Sequence, residues 1–274
     1  MKERKLEKEI RVFISTLGNG GKQKQLNICK AHVLKMLKVN KPATVRSYLT
    51  SYRKALSQLD PYILRGLRLP PNEQLKEENK YKLKLSDQQK TNEAVHGLKE
   101  MIQMSKLLIK SKKWDEIAIG LSLLTGRRIT EILKTAKFED VGEKGAIYFE
   151  GQLKAKGEKQ GYLIPTIGAT SKQLVKALER LRKLLNTENL SPVQVNEKHS
   201  YRCRDLTKRY FSKFIGSDNS HRCTPHDLRA IYATYCNDNF KQKWQSTNSY
   251  LSSILGHSEQ DLTVANSYQK FYLV

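Results

Sequence analysis

Four short segments carry side chains able to act on a phosphate. TGRRITEIL (125–133) opens on Thr-Gly, which breaks an apolar run, and Arg127, Arg128 and Glu131 follow at the next helix start. Residues three apart share a helix face, so Glu131 can hold Arg128 with its guanidinium fork turned towards an anion. GQLKAKG (151–157) sets Lys154 and Lys156 in a turn after a strand. There an ammonium either reaches a leaving oxygen or stays solvated. TPHDLRAIYAT (224–234) begins with a cap residue, Thr224, and with Pro225, which suits a first helical turn. His226 and Arg229 then lie on one face, a pairing that suits an anionic substrate better than a core. ILGHSEQDLTVANSYQKFY (254–272) places His257 after a glycine stop and Tyr268 eleven residues later, a span of about three turns if helical.

Taken together, these are arginines, a lysine, two histidines and a late tyrosine, without paired carboxylates. Such a set can bind a phosphodiester and stabilise its pentacovalent transition state, because fixed positive groups placed where charge develops supply the largest catalytic effect. Tyrosine is an accepted covalent nucleophile once neighbouring cations activate its phenol. No metal signature is present. Cys203, His221, Cys223 and His226 are close in sequence, but their spacing fits no standard zinc pattern. The four cysteines, Cys29, Cys203, Cys223 and Cys236, form no CxxC motif, so reduced cytosolic thiols are expected rather than a disulfide framework.

The elements that must position these groups divide into two parts. The 274 residues carry 50 Lys+Arg against 27 Asp+Glu, a net charge of +23 that favours a polyanionic partner. Nucleic acid comes first and an anionic membrane surface second. No apolar run is long enough to span a bilayer, and the basic start MKERKLEKEIRVF has no secretory apolar region. Residues 1–84 hold 20 basic and 7 acidic side chains, and between Arg11 and Asp60 there are nine Lys/Arg and no acid at all. A stretch kept free of acids over that length reads as a phosphate-facing surface. Apolar residues recur there at helical spacing, with Pro42 at a helix start. A helical DNA-clamping domain over 1–80 is expected, closed by a linker at Leu69-Pro70-Pro71-Asn72 and the polar EQLKEENKYK, with the boundary near 75–88. The second domain, 81–274, is expected to be mostly α with a small β-sheet. Its helices are read at Ala94–Ile109, Trp114–Leu124, Ile129–Leu133, Leu174–Leu185, Tyr201–Ile215, Pro225–Cys236, Ser246–Leu255 and Leu262–Phe271. Its strands are AIYFEG (146–151) and GYLIPTI (161–167).

In this order the blocks resemble the catalytic domain of the tyrosine recombinases, a fold shared with type IB topoisomerases. FEGQLKAKG, RAIYAT and LGHSEQDLTVANSYQKF are similar to the telomere resolvase (protelomerase) branch, and the likeness runs over about residues 110–274. It implies a tyrosine-recombinase catalytic fold preceded by an N-terminal helical DNA-binding domain, accessory domains being missing or minimal in so short a chain. It implies that Arg128 and Arg229 clamp the non-bridging oxygens, with Arg127 the alternative to Arg128. Lys154 would protonate the leaving 5′ oxygen, Lys156 being its alternate. His226 would assist proton transfer or positioning, and His257 would hydrogen-bond the phosphate. Tyr268 would form the 3′-phosphotyrosyl link, with Tyr272 as alternate. No cofactor, metal or ATP is implied. The expected partners are a palindromic double-stranded DNA and a second copy of the chain bound on it, with no membrane; the place is the cytoplasm, with a bacterial, phage or plasmid gene. The expected outcome is a pair of covalently closed hairpin ends. The alternatives are recombination through a Holliday junction, topoisomerase action, and DNA binding without catalysis.

Overall fold

The computed structural model describes residues 2–90, 92–153, 161–216, 222–257 and 262–274, with the side chains of 2–5, 84–90 and 262–264 set aside. Its contacts group into two units, Met1–Ser86 and Asp87–Val274.

The first unit is helical: α1 (Lys2–Leu17), α2 (Lys22–Val39), α3 (Pro42–Ala55), the short α4 (Pro61–Leu64) and most of α5 (Pro71–Lys90). Its core gathers Ile10, Phe13 and Leu17 from α1, Cys29 and Val33 from α2, and Val45, Leu49 and Tyr52 from α3. The acid-free stretch between Arg11 and Asp60 leaves Lys24, Lys30, Lys35, Lys38, Lys41, Arg46 and Lys54 exposed. The expected linker is a correction: α5 runs unbroken from Pro71 through EQLKEENKYK. Proline fits a first helical turn, and Glu, Gln, Leu and Lys are strong helix formers, so polarity there marks a solvated helix rather than a loop.

The second unit is built around α7 (Trp114–Thr125), which is buried on every side from Ile117 to Thr125. A helix apolar all round is a core helix. Around it pack α6 (Leu98–Leu108), α8 (Ser171–Leu184), α9 (Pro192–Phe211) and α10 (Pro225–Phe240). α11 (Thr247–Leu255) packs on α10. Capping boxes at Thr170/Gln173, Ser191/Gln194 and Thr224/Asp227 start α8, α9 and α10. β2 (Lys137–Glu139), β3 (Ala146–Glu150) and β4 (Tyr162–Pro165) form an antiparallel sheet in the order β2–β3–β4, with Ile147 opposite Ile164 and Phe149 opposite Tyr162. Both expected strands are present.

Three expected helical stretches take other forms. Ala94 and Val95 belong to β1 (Glu93–Val95), and the helix begins only at Leu98, after Gly97 adopts the left-handed conformation at φ 69°. Ile129–Leu133 gives way to a π-helical turn over Glu131–Thr135, closed by Ala136 N–H on Glu131 O at 2.7 Å. The final stretch is a 3₁₀ turn, Leu262–Tyr268, followed by β5 (Phe271–Leu273), which pairs parallel to β1 with Glu93 opposite Phe271. Periodicity could not reveal that pairing, because its hydrogen bonds join segments at opposite ends of the unit. Among the described residues, no helix is long and apolar enough to cross a membrane.

Candidate active site

Gly126 ends α7 at φ 66°, with its N–H on Ser122 O at 2.9 Å. A Cβ there would run into the Tyr232 ring. This turn sends two successive arginines in different directions. Arg127 is fully buried and its nitrogens are met by protein acceptors: Thr125 O at 3.2 Å, the Tyr162 hydroxyl at 2.6 Å and Ile254 O at 2.5 Å. Its guanidinium also lies 4.7 Å from the centre of the Phe149 ring. Arg128 remains partly exposed. One of its nitrogens donates to Glu131 Oε1 at 2.7 Å, and its backbone N–H to Glu131 Oε2 at 3.0 Å.

The π-helical turn carries Glu131, which is fully buried. Burial alone would raise its carboxyl; Arg127, Arg229 and Arg128 outweigh that and hold it below the usual carboxylate range. Glu131 Oε1 also accepts the Leu153 N–H at 3.2 Å, which anchors the turn after β3 beside Arg128.

α10 supplies Arg229, 1% exposed, with donors on Gly126 O, on Leu255 O at 2.8 Å and, through Nε, on the Tyr268 hydroxyl at 3.3 Å. Burial first, and Arg127 second, lower this guanidinium to about 10, so it remains charged at neutral pH. Its carbon lies 5.3 Å from the centre of the Tyr268 ring.

Tyr268, 3% exposed, stands at the end of the 3₁₀ turn between two imidazoles. The His226 ring centre is 5.0 Å from its ring and the His257 centre 5.4 Å. His257 follows left-handed Gly256, and its N–H donates to Ser252 O at 2.8 Å. Burial, then Arg229, Arg128 and Arg127, push His257 down to about 4. Burial, then Lys270 and Arg229, lower His226 as well. Both rings are neutral at physiological pH. His257 Nε2 is buried and has no hydrogen-bond partner among the described residues, which leaves it open to a water or a substrate oxygen.

Five of the residues singled out from sequence therefore meet in one place: Arg128, Arg229, His226, His257 and Tyr268. Lys154 and Lys156 lie outside the described residues. Tyr272 stands on β5, half exposed and opposite Ala94. One pair escaped sequence reading. Lys270 donates to Asp227, whose other oxygen accepts the N–H and hydroxyl of Thr224 at 2.7 and 2.8 Å. The pair ties the segment just past Tyr268 to the start of α10. The capping-box position of Asp227 was visible in TPHDL, but its partner is 43 residues away. Among the described residues, no cluster of His, Cys, Asp and Glu is placed to hold a metal ion, and His221 lies outside them.

The chain was compared with known proteins. A family model described as the telomere resolvase ResT/TelK catalytic domain matches residues 92–271. Telomere resolvase ResT of Borreliella burgdorferi is 24% identical over 179 residues, which cover 65% of this chain and only 39% of that curated relative's length. Among solved structures, selenomethionine protelomerase TelA covalently complexed with substrate DNA matches with a TM-score of 0.87 at 25% identity, over 98% of this chain and 88% of that one. A TelA mutant complexed with a DNA hairpin product matches with a TM-score of 0.88 at 25% identity, over the same shares. Protelomerase TelK complexed with substrate DNA gives 0.64 at 19% identity, over 99% of this chain and 53% of that one, a likeness of fold. The mostly helical fold with small sheets is that of protelomerase TelA, a tyrosine-recombinase-like fold.

Proposed function

The chain belongs to the telomere resolvase ResT/TelK catalytic-domain family, and from that premise we propose that it breaks and rejoins DNA through a 3′-phosphotyrosyl intermediate to leave covalently closed hairpin ends. One observation carries the reading: the Tyr268 hydroxyl rests on buried Arg229 at 3.3 Å, between two neutral imidazoles.

In this reading the Tyr268 oxygen attacks the scissile phosphorus, and a Tyr–O–P bond forms as the bond to the 5′ oxygen breaks. Arg128 and Arg229 bind the non-bridging oxygens, whose charge grows in the pentacovalent transition state; donors fixed in advance at that charge need no reorganisation. Glu131 keeps Arg128 aimed. Nε2 of His257 donates to a non-bridging oxygen and so gains the partner it lacks. Neutral His226 takes up the phenolic proton. Lys154, with Lys156 as alternate, gives a proton to the departing 5′ oxygen. Phosphotyrosine preserves the energy of the broken ester, so rejoining draws on neither ATP nor a metal ion. Each freed 5′ hydroxyl then attacks the phosphotyrosine within its own half of the duplex.

Two nicks across a palindrome require two active sites related by a two-fold axis, so the acting species is a pair of chains on one DNA. The exposed, acid-free cations of residues 12–59 suit a DNA backbone, and we assign DNA binding to residues 1–80 and catalysis to residues 81–274. The place of action is bacterial cytoplasmic DNA, whether the gene is chromosomal, phage or plasmid.

A linear palindromic duplex incubated with the chain in EDTA, then run on a denaturing gel, tests this. Snap-back hairpins are the expected product. Exchanged arms or junctions would indicate recombination, relaxation of arbitrary plasmid a topoisomerase, and retarded but intact DNA a binder without chemistry.

A further inference from the structure

The last three carbonyls at the α11 end are each claimed by a side chain from elsewhere in the unit. Ile254 O accepts from Arg127 at 2.5 Å, Leu255 O from Arg229 at 2.8 Å, and Gly256 O from the amide of Gln152. Carbonyls at a helix C-terminus have no partner within the helix, and cations there also complement its dipole. His257 follows directly. The Gln152 amide is held in turn: its oxygen accepts from the Tyr162 hydroxyl, which accepts from Arg127 at 2.6 Å. Gln152 is 7% exposed. A Cβ added to Gly256 would strike both the Gln152 amide and the Tyr162 hydroxyl, so these groups lie directly against the loop that bears His257.

We infer that Gln152 and Tyr162 are positioning residues for the strand-transfer reaction, fixing the Gly256 carbonyl so that His257 Nε2 faces the phosphate. The inference rests on the reading proposed above. Neither side chain meets the reacting atoms; both act through His257. An amide suits the role because it donates to a carbonyl and accepts from a phenol at once, whereas methionine, of similar length, has no donor and accepts only weakly. Tyr162→Phe keeps the ring edge-on to Phe149, 5.6 Å between centres, and removes the hydroxyl with its bonds to Gln152 and Arg127.

The test is single-turnover cleavage by the full chain of a nicked palindromic duplex that traps the Tyr268 adduct. The chains compared are wild type, Gln152→Met, Tyr162→Phe and His257→Ala, together with each of the first two substitutions combined with the third. Gln152→Met is expected to slow adduct formation by about 100-fold, the scale of a misplaced catalytic group, with DNA affinity unchanged. In the His257→Ala background the same substitution is expected to change little, since the group it positions is gone. Tyr162→Phe should show a smaller loss with the same dependence on His257, and it carries the test should Gln152→Met fail to fold. Loss by the same factor in both backgrounds would mean a general structural role and overturn the inference, as would wild-type rates in both variants. A wild-type chain that traps no adduct overturns the strand-transfer reading itself, and the inference with it.

Discussion

At the scale of the residue, the site is a set of charges that the protein keeps from relaxing. Arg229 is buried with one N–H of each of its three nitrogens on a protein oxygen, and Glu131 gives back one negative charge among three guanidiniums. Tyr268→Phe should abolish the covalent DNA adduct, read as loss of the slow-migrating protein band after denaturation; an adduct that persists would move the nucleophile elsewhere, with Tyr272 next to be examined. Arg128→Ala should lower cleavage by about 10²–10³-fold, the cost of removing one preorganised donor, while changing DNA affinity far less. An equal loss in both would deny it a transition-state role. The histidines make stability depend on pH. Unfolded, an imidazole takes its proton near 6.5, whereas folded His257 does so only at about 4. Between those values the unfolded chain binds more protons, so stability falls as pH drops through that window. Urea unfolding at about pH 7.5 and about pH 5 reads the loss, and His257→Asn should lose less than wild type.

At the scale of the element, the site depends on how helices end. α7 stops at Gly126, α11 stops at Gly256, and the two left-handed turns bring Arg127, Arg128 and His257 to one place. Gly126→Ala should cost about 3 kcal/mol, because it combines a strained φ with a Cβ driven into Tyr232, and thermal unfolding would register it. β5 and the Lys270–Asp227 pair hold the segment that follows Tyr268. Lys270→Met takes the ammonium away from the buried Asp227 carboxylate and should cost about 2 kcal/mol in urea unfolding at neutral pH, with Lys270→Arg recovering part of it. Helix starts were readable because capping residues declare themselves locally: Thr224 and Pro225 announce α10. The π-helical turn and the β1–β5 pairing were not, since each is decided by hydrogen bonds whose partners no local window contains.

At the scale of the whole molecule, the charge of +23 sets how it meets DNA. If roughly six of its cations neutralise phosphates, affinity should fall about a thousandfold between about 50 and 200 mM salt, as a plot of log Kd against log salt would show. A near-flat plot would remove the first unit from the DNA interface. Charge is legible in composition, and so were the helical character of both units and the short sheet. What was misread is the character of the segment before the boundary, where a polar helix, α5, resembled a linker.

Sequence by itself determined which side chains were available and which helices would start or stop beside them, because residue type, spacing and caps act within a few residues of chain. Only the tertiary structure decided that Arg127 is fully buried while Arg128 stays partly exposed, that Tyr268 lies against Arg229, and that both histidines are neutral. Those outcomes depend on burial and on charges brought together across more than a hundred residues, as in the contact of Arg229 with Gly126, and neither burial nor proximity is written in the order of the letters.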